Sequence, residues 1–157
     1  MCNYCGCRSF PLIGRLTEEH EAIINAAGRL RSAIAASGGE PAGALEALDA
    51  LRALLTPHTV TEESGLFAEL RAEGSLADEV DKLCAEHEDI HQVLATVDRA
   101  APDWAPVLAA LDRLRRHIDA EEHGLFPAAV IALPMPAWDR LTPSTARVGD
   151  GEPGSAG

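Results

Sequence analysis

Positive charge is scarce in this chain. Thirteen Lys and Arg stand against 25 Asp and Glu, giving a formal net charge of −12 and a pI near 4.8. That balance excludes the basic footprint of a protein that binds nucleic acid or an anionic membrane surface. Long apolar runs are missing too. None reaches the roughly 18 residues of a membrane span, and the opening MCNYCGCRSF has no charged stretch followed by an apolar one. The expectation is a soluble, cytoplasmic protein with neither nucleic acid nor membrane as partner. No segment alternates as a strand would, so a sheet is not expected. Cysteines number only four. Cys2, Cys5 and Cys7 are too crowded to staple a fold that has this much leucine and alanine, which favours thiols or thiolate ligands over disulfides. A length of 157 residues suits one domain with a real core.

What the chain does have is a spaced set of histidines and glutamates: His20, then His58 with Glu62, then His87 with His91, then His117 with Glu121. Each pair is four residues apart, which places both side chains on one face of a helix about one turn from each other. The surrounding segments repeat. HTVTEESGLF at 58 to 67 matches HIDAEEHGLF at 117 to 126, and LTEEHEAI at 16 to 23 matches LCAEHEDI at 83 to 90. The offsets, 59 and 67 positions, are nearly constant, so two helix pairs recur and two αα-hairpins are expected to face each other.

The apolar periodicity carries four helices. The first starts near Ser9 or Pro11 and runs to the SGG at 37 to 39, with Leu12, Leu16, His20, Ile23, Ala27, Leu30 and Ile34 on one stripe. A second opens near Pro41, carries Leu45, Leu48, Leu51, Leu55, His58 and Glu62 inward, and ends around Leu70; Pro57 is expected either to kink it or to restart it with Thr56 as cap. Ser75 with Asp78 resembles a capping pattern for the third helix, whose stripe is Val80, Cys84, His87, His91 and Leu94 and whose end is expected near Arg99. The fourth follows Asp103 with Val107, Leu111 or Ala110, Leu114, His117, Glu121 and Leu125 inward, and stops at the PMP of 134 to 136. This predicts an all-α, up-down-up-down four-helix bundle over 11–133 with a dimetal site in its core. Residues 1–10 form a Cys-rich segment. Residues 134–157 are Pro- and Gly-rich and are expected to be largely disordered, with Trp138 and Leu141 docking just before the tail.

A lone histidine on an apolar stripe is more often a satisfied core residue than a ligand. Five imidazoles and two carboxylates on the inward stripes of four helices are another matter, because burying them without a cation would cost several kcal/mol each. Glu63 and Glu122, about 100° around the helix from the inward glutamates, are expected to face solvent or to accept a proton from an imidazole. His123 is expected on the surface. Seven ligands suit two metals about 3.5 Å apart. Imidazole with carboxylate and no thiolate suits iron, manganese or zinc, and the spacing does not choose among them.

The order His, HxxxE, HxxxH, HxxxE resembles the hemerythrin family, in its bacterial HHE cation-binding form, over about residues 11 to 133. The resemblance implies two iron ions with an oxo or hydroxo bridge: His87, His91 and His117 on one, His20 and His58 on the other, and Glu62 and Glu121 bridging both. One coordination position is then open on the second iron, where O2, NO or H2O2 would bind for sensing, storage or delivery. The pocket there is expected to be lined by Ile23, Ile24, Leu114 and Ile118, with Thr59 as a polar exception. An alternative use of the same site is an oxidoreductase that turns over peroxide or NO or oxidises a small substrate. A third reading is an iron or redox sensor in which Cys2, Cys5 and Cys7 form a second metal or redox site. Cys84, one turn before His87, reads most simply as a small buried hydrophobe.

Overall fold

A computed structural model describes residues 6, 9–38 and 40–142. Helix α1 spans Pro11–Ala36, α2 Ala42–Thr61, α3 Phe67–Glu73, α4 Ala77–Ala95, α5 Ala105–Ala120, α6 Phe126–Ala132 and α7 Met135–Leu141. Among the described residues there is no strand, and no helix is long and apolar enough to cross a membrane. Helix α1 packs on α2 and α5, and α4 packs on α5, α2 and α3. Short connections join successive helices, so neighbours run antiparallel and the chain is an up-down-up-down bundle. At the α3–α4 turn Gly74 adopts φ 99°, a left-handed conformation that favours glycine.

Helices α2 and α3 form one rod through a π turn at Glu62–Leu66, and α5 and α6 do the same through Glu121–Leu125. In each, the amide of the following phenylalanine donates five residues back, Phe67 to Glu62 and Phe126 to Glu121. Residues four apart drift about 40° around an α-helix, and a wider turn counters that drift. His58, Glu62, Leu66 and Leu70 therefore all stay inward, as do His117, Glu121, Leu125 and Ala129. Pro57 neither restarts α2 nor breaks it, and Thr56 is an interior helical residue.

Two apolar cores flank the histidines. One holds Leu16, Phe67, Leu70, Val80, Phe126 and Trp138; the other holds Ile23, Leu30, Leu48, Leu51, Ile90, Leu94 and Leu114. Two local expectations are corrected. Ser75 does not cap α4: its amide and hydroxyl bond the Glu73 carboxylate, and Leu76 takes the cap position. Helix α4 stops at Ala95 rather than near Arg99, and Asp98 receives the following amides instead. Past residue 133, Trp138 and Leu141 dock on the core as expected, carried by a short helix. In α7, Trp138 is buried against Phe10 with ring centroids 4.6 Å apart, and Arg140 makes a two-pronged pair with Glu69. Residues 143–157 lie outside the described residues.

Candidate metal centre

Six of the seven expected residues converge between the two cores. His20, His58, Glu62 and Glu121 form one group whose donor atoms all lie within 4.8 Å of one another, and Glu62, His87, His117 and Glu121 form a second. The two glutamates belong to both groups, and all six side chains are buried. His20 Nε2 lies 3.3 Å from Glu62 and 3.0 Å from Glu121; His58 Nε2 lies 3.1 Å from Glu62. On the other side His87 Nε2 is 3.2 Å from Glu62, and His117 Nε2 is 2.7 Å from Glu121.

Every one of these four imidazoles points Nε2 inward because its Nδ1 is held by a glutamate on the outside. Nδ1 of His20 lies 2.7 Å from Glu122, that of His58 2.7 Å from Glu19, that of His87 3.0 Å from Glu63 and that of His117 2.9 Å from Glu86. A carboxylate on Nδ1 fixes the tautomer that leaves the Nε2 lone pair free, and it raises that nitrogen's basicity as a metal ligand. Glu63 and Glu122 thus take the imidazole-supporting role. Glu19 and Glu86 take the same part, and the sequence carries a signal for them that helical spacing does not: each immediately precedes an inward histidine in the repeated EHE of 19–21 and 86–88. Phe126 stacks on His20 and Phe67 on His87, with interplanar angles of 4° and 7°.

These contacts obey an internal two-fold relation. Shifting α1 by 67 positions and α2 by 59 converts His20, His58, Glu62, Glu19 and Phe67 into His87, His117, Glu121, Glu86 and Phe126, and every pairing above has its counterpart.

The electrostatics call for a cation. Both oxygens of Glu62 and of Glu121, together with His20 Nε2, are buried without a well-directed hydrogen-bond partner. Leaving two carboxylates so placed costs several kcal/mol each. Without metal the cluster holds protons instead. Burial opposes a charge on His20, but its contacts to Glu121, Glu122 and Glu62 prevail and raise its pKa to about 11. Burial likewise opposes a charge on His117, and Glu121 prevails, raising it to about 9. Burial pushes the Glu62 carboxyl up, while His20, His58 and His87 pull it well below its usual range. Nitrogen and oxygen donors with unused lone pairs aimed at one small space fit a metal site.

His91 is in neither group. Its Nε2 sits 2.9 Å from the hydroxyl of Thr59, and the ring is only half-buried. His123 is exposed, with Nδ1 donating to the Asp119 carbonyl. Cys84 is half-buried rather than a core hydrophobe; the Arg71 guanidinium lies 3.8 Å from its sulfur, and burial pushes its thiol pKa up. Cys2, Cys5 and Cys7 lie outside the described residues.

The expected pocket residues do not form one pocket. Ile23 is packed in the apolar core. Ile24, Leu114 and Ile118 line a surface depression of about 330 Å³ that none of the six converging residues reaches. Thr59 instead borders a larger cleft of about 630 Å³, together with Glu63, Cys84, His87, Glu88 and His91. The reason is position on α2: Thr59 faces α4, whereas the isoleucines lie between α1 and α5.

A helical bundle that aims histidine and carboxylate from four segments at one buried point defines a cation-binding helical protein. The chain belongs to the hemerythrin HHE cation-binding family, whose model matches residues 12–129. Neither the curated proteins nor the solved structures gave a match.

Proposed function

We propose that this chain is a non-haem di-iron protein that binds O2, or a related small molecule such as NO or peroxide, for sensing, storage or delivery. The carrying observation is the pair of four-residue groups that share Glu62 and Glu121. Two ions are implied, each with two imidazoles and two carboxylate oxygens from the chain. The residues of this proposal are His20, His58, Glu62, His87, His117 and Glu121. His91, the seventh residue expected, lies outside both groups, its Nε2 2.9 Å from the Thr59 hydroxyl.

Iron is favoured over manganese or zinc by the chemistry proposed, since an iron pair supplies the electrons needed to hold O2 reversibly. The chain's part is to keep that pair in its reduced form and dry. Among the inward-facing donors only two are carboxylates beside four imidazoles, a balance that favours the lower oxidation state over what a four-carboxylate site would hold. The flanking cores and the two phenylalanines exclude water. The four outer glutamates restrain the imidazoles and limit the rearrangement that accompanies a change of charge at the centre.

A second reading, turnover of peroxide or NO at the same centre, is favoured by one feature: the polar cleft at Thr59 and His91. Purification without chelator, metal analysis, and optical spectra of the reduced protein before and after exposure to O2 separate the readings. Two irons per chain and a charge-transfer band that disappears on removal of O2 support the binding protein. Irreversible conversion to a ferric form with consumption of peroxide favours the enzyme. Zinc or manganese as the main metal refutes both.

A further inference from the structure

Thr17 on α1 is buried, and its hydroxyl is the one donor that a threonine side chain has. Within a helix that proton commonly goes back to the carbonyl one turn earlier. Here Thr17 Oγ1 donates across to Oε2 of Glu122 at 3.1 Å, while Oε1 of the same carboxylate lies 2.7 Å from His20 Nδ1. Thr17 and His20 are three positions apart and share one face of α1. Glu122 therefore has one oxygen on each, and its carboxylate cannot rotate without releasing a partner. The internal two-fold relation breaks at this point. The shifts of 67 and 59 positions pair Thr17 with Cys84 and Glu63 with Glu122. Glu63 reaches His87 through Oε1 at 3.0 Å, and its second oxygen makes no hydrogen bond among the described residues. The sulfur of Cys84 instead lies 3.8 Å from the Arg71 guanidinium. Exposure follows: the outer glutamate is 21% exposed at Glu122 and 41% at Glu63.

We propose that Thr17 is a positioning residue of the metal centre: by holding the second oxygen of Glu122 it fixes the direction in which His20 presents Nε2. Cys84, at the equivalent place, gives Glu63 no such hold, so the support behind His87 is the looser of the two. That role rests on the metal-binding part of the reading above and is independent of which metal is bound. A carboxylate with both oxygens engaged keeps one orientation, and the imidazole whose Nδ1 it holds inherits that orientation. Valine at position 17 keeps the shape of the side chain and leaves Oε2 of Glu122 without this donor, whereas serine keeps the donor. On the other half the change works in the opposite direction. Threonine at position 84 puts a hydroxyl where the two-fold relation calls for one, beside a glutamate whose second oxygen has no partner.

The test follows the imidazole Nδ1 protons by NMR in the metal-free chain carrying isotope-labelled histidine, and then the release of zinc to a chelator from the zinc-loaded chain. A hydrogen-bonded proton exchanges with water through local opening. In Thr17→Val the His20 proton is therefore expected to exchange at least about fivefold faster, with those of His58, His87 and His117 within about twofold of wild type. Thr17→Ser should restore the wild-type rate. Cys84→Thr is expected to slow the His87 proton at least about threefold and to leave the His20 proton unchanged. With zinc bound, T17V should release the metal about three- to tenfold faster than wild type, and T17S should not. An unchanged His20 proton in T17V, equal acceleration at all four imidazoles, or no restoration by serine overturns the positioning role. An unchanged His87 proton in C84T overturns the assignment of the asymmetry to this position. A wild-type chain that takes up no zinc refutes the metal reading, and the exchange rates then still decide whether Thr17 holds His20 through Glu122.

Discussion

Glu19 accepts the Nδ1 proton of His58 at 2.7 Å from the position immediately before His20 on the neighbouring helix. One dipeptide therefore provides a metal-facing imidazole and the support for another, and Glu86–His87 repeats the arrangement for His117 at 2.9 Å. The consequence is coupling: α1 and α2 cannot slide past each other without releasing both groups.

The outer glutamates should set metal affinity. Glu122→Gln keeps an acceptor but removes the charge behind His20, and metal affinity in competition with a chelator is expected to fall about 10- to 100-fold. Glu63→Gln, at the more exposed counterpart, should lose less. Glu18→Gln, on an exposed position of α1, serves as the control; equal affinities for E122Q and E18Q would refute the supporting role.

His91→Leu is expected to keep the wild-type number of metals per chain, because the Nε2 of His91 is directed at Thr59 and not at the shared glutamates. Metal analysis decides it. Loss of one metal would show that His91 turns inward as a ligand when the centre is filled.

Stability of the metal-free protein should fall as pH rises. The folded-state pKa values of His20 and His117, about 11 and about 9, lie above the roughly 6.5 of an unfolded histidine. Their contribution is complete below about pH 6.5 and is lost as pH rises through 9 toward 11. Glu62, held low, contributes above the ordinary carboxylate range and loses that contribution in acid. Urea midpoints of the chelated protein should therefore decline between pH 7 and 10. Metal uptake at pH 7 should release protons, since ligand imidazoles must be neutral; a pH-indicator titration showing none would contradict the cluster's protonated state.

Trp138→Ala should cost about 3–5 kcal/mol of unfolding free energy, because Trp138 is buried in the same core as Phe67 and Phe126. Urea denaturation of the metal-loaded variant measures this. A loss under about 1 kcal/mol, the range of surface changes, would mean that α7 is an appendage and not part of the bundle.

Much of this protein was decided locally. Four amphipathic stripes, the four-residue spacings and the repeated segments are properties of helical periodicity, which depends on the order of residues and on nothing distant. They were enough for the four rods of the bundle, the inward placement of His20, His58, Glu62, His87, His117 and Glu121, and the family resemblance. What only the tertiary structure decided depends on partners remote in sequence. The π turns at Glu62 and Glu121 arise because packing must keep residues four apart on one face, and α-helical periodicity alone does not reveal them. Glu19 and Glu86 found histidines on other helices. Trp138 found a core whose members lie up to 126 positions earlier in the chain. His91 shows the limit most clearly: its spacing from His87 is that of a ligand, and its Nε2 lies 2.9 Å from the hydroxyl of Thr59, 32 residues away on α2 and outside both four-residue groups. Spacing along one helix specifies which face a side chain takes, while the hydrogen bond that it makes is chosen by whatever the neighbouring helix presents there.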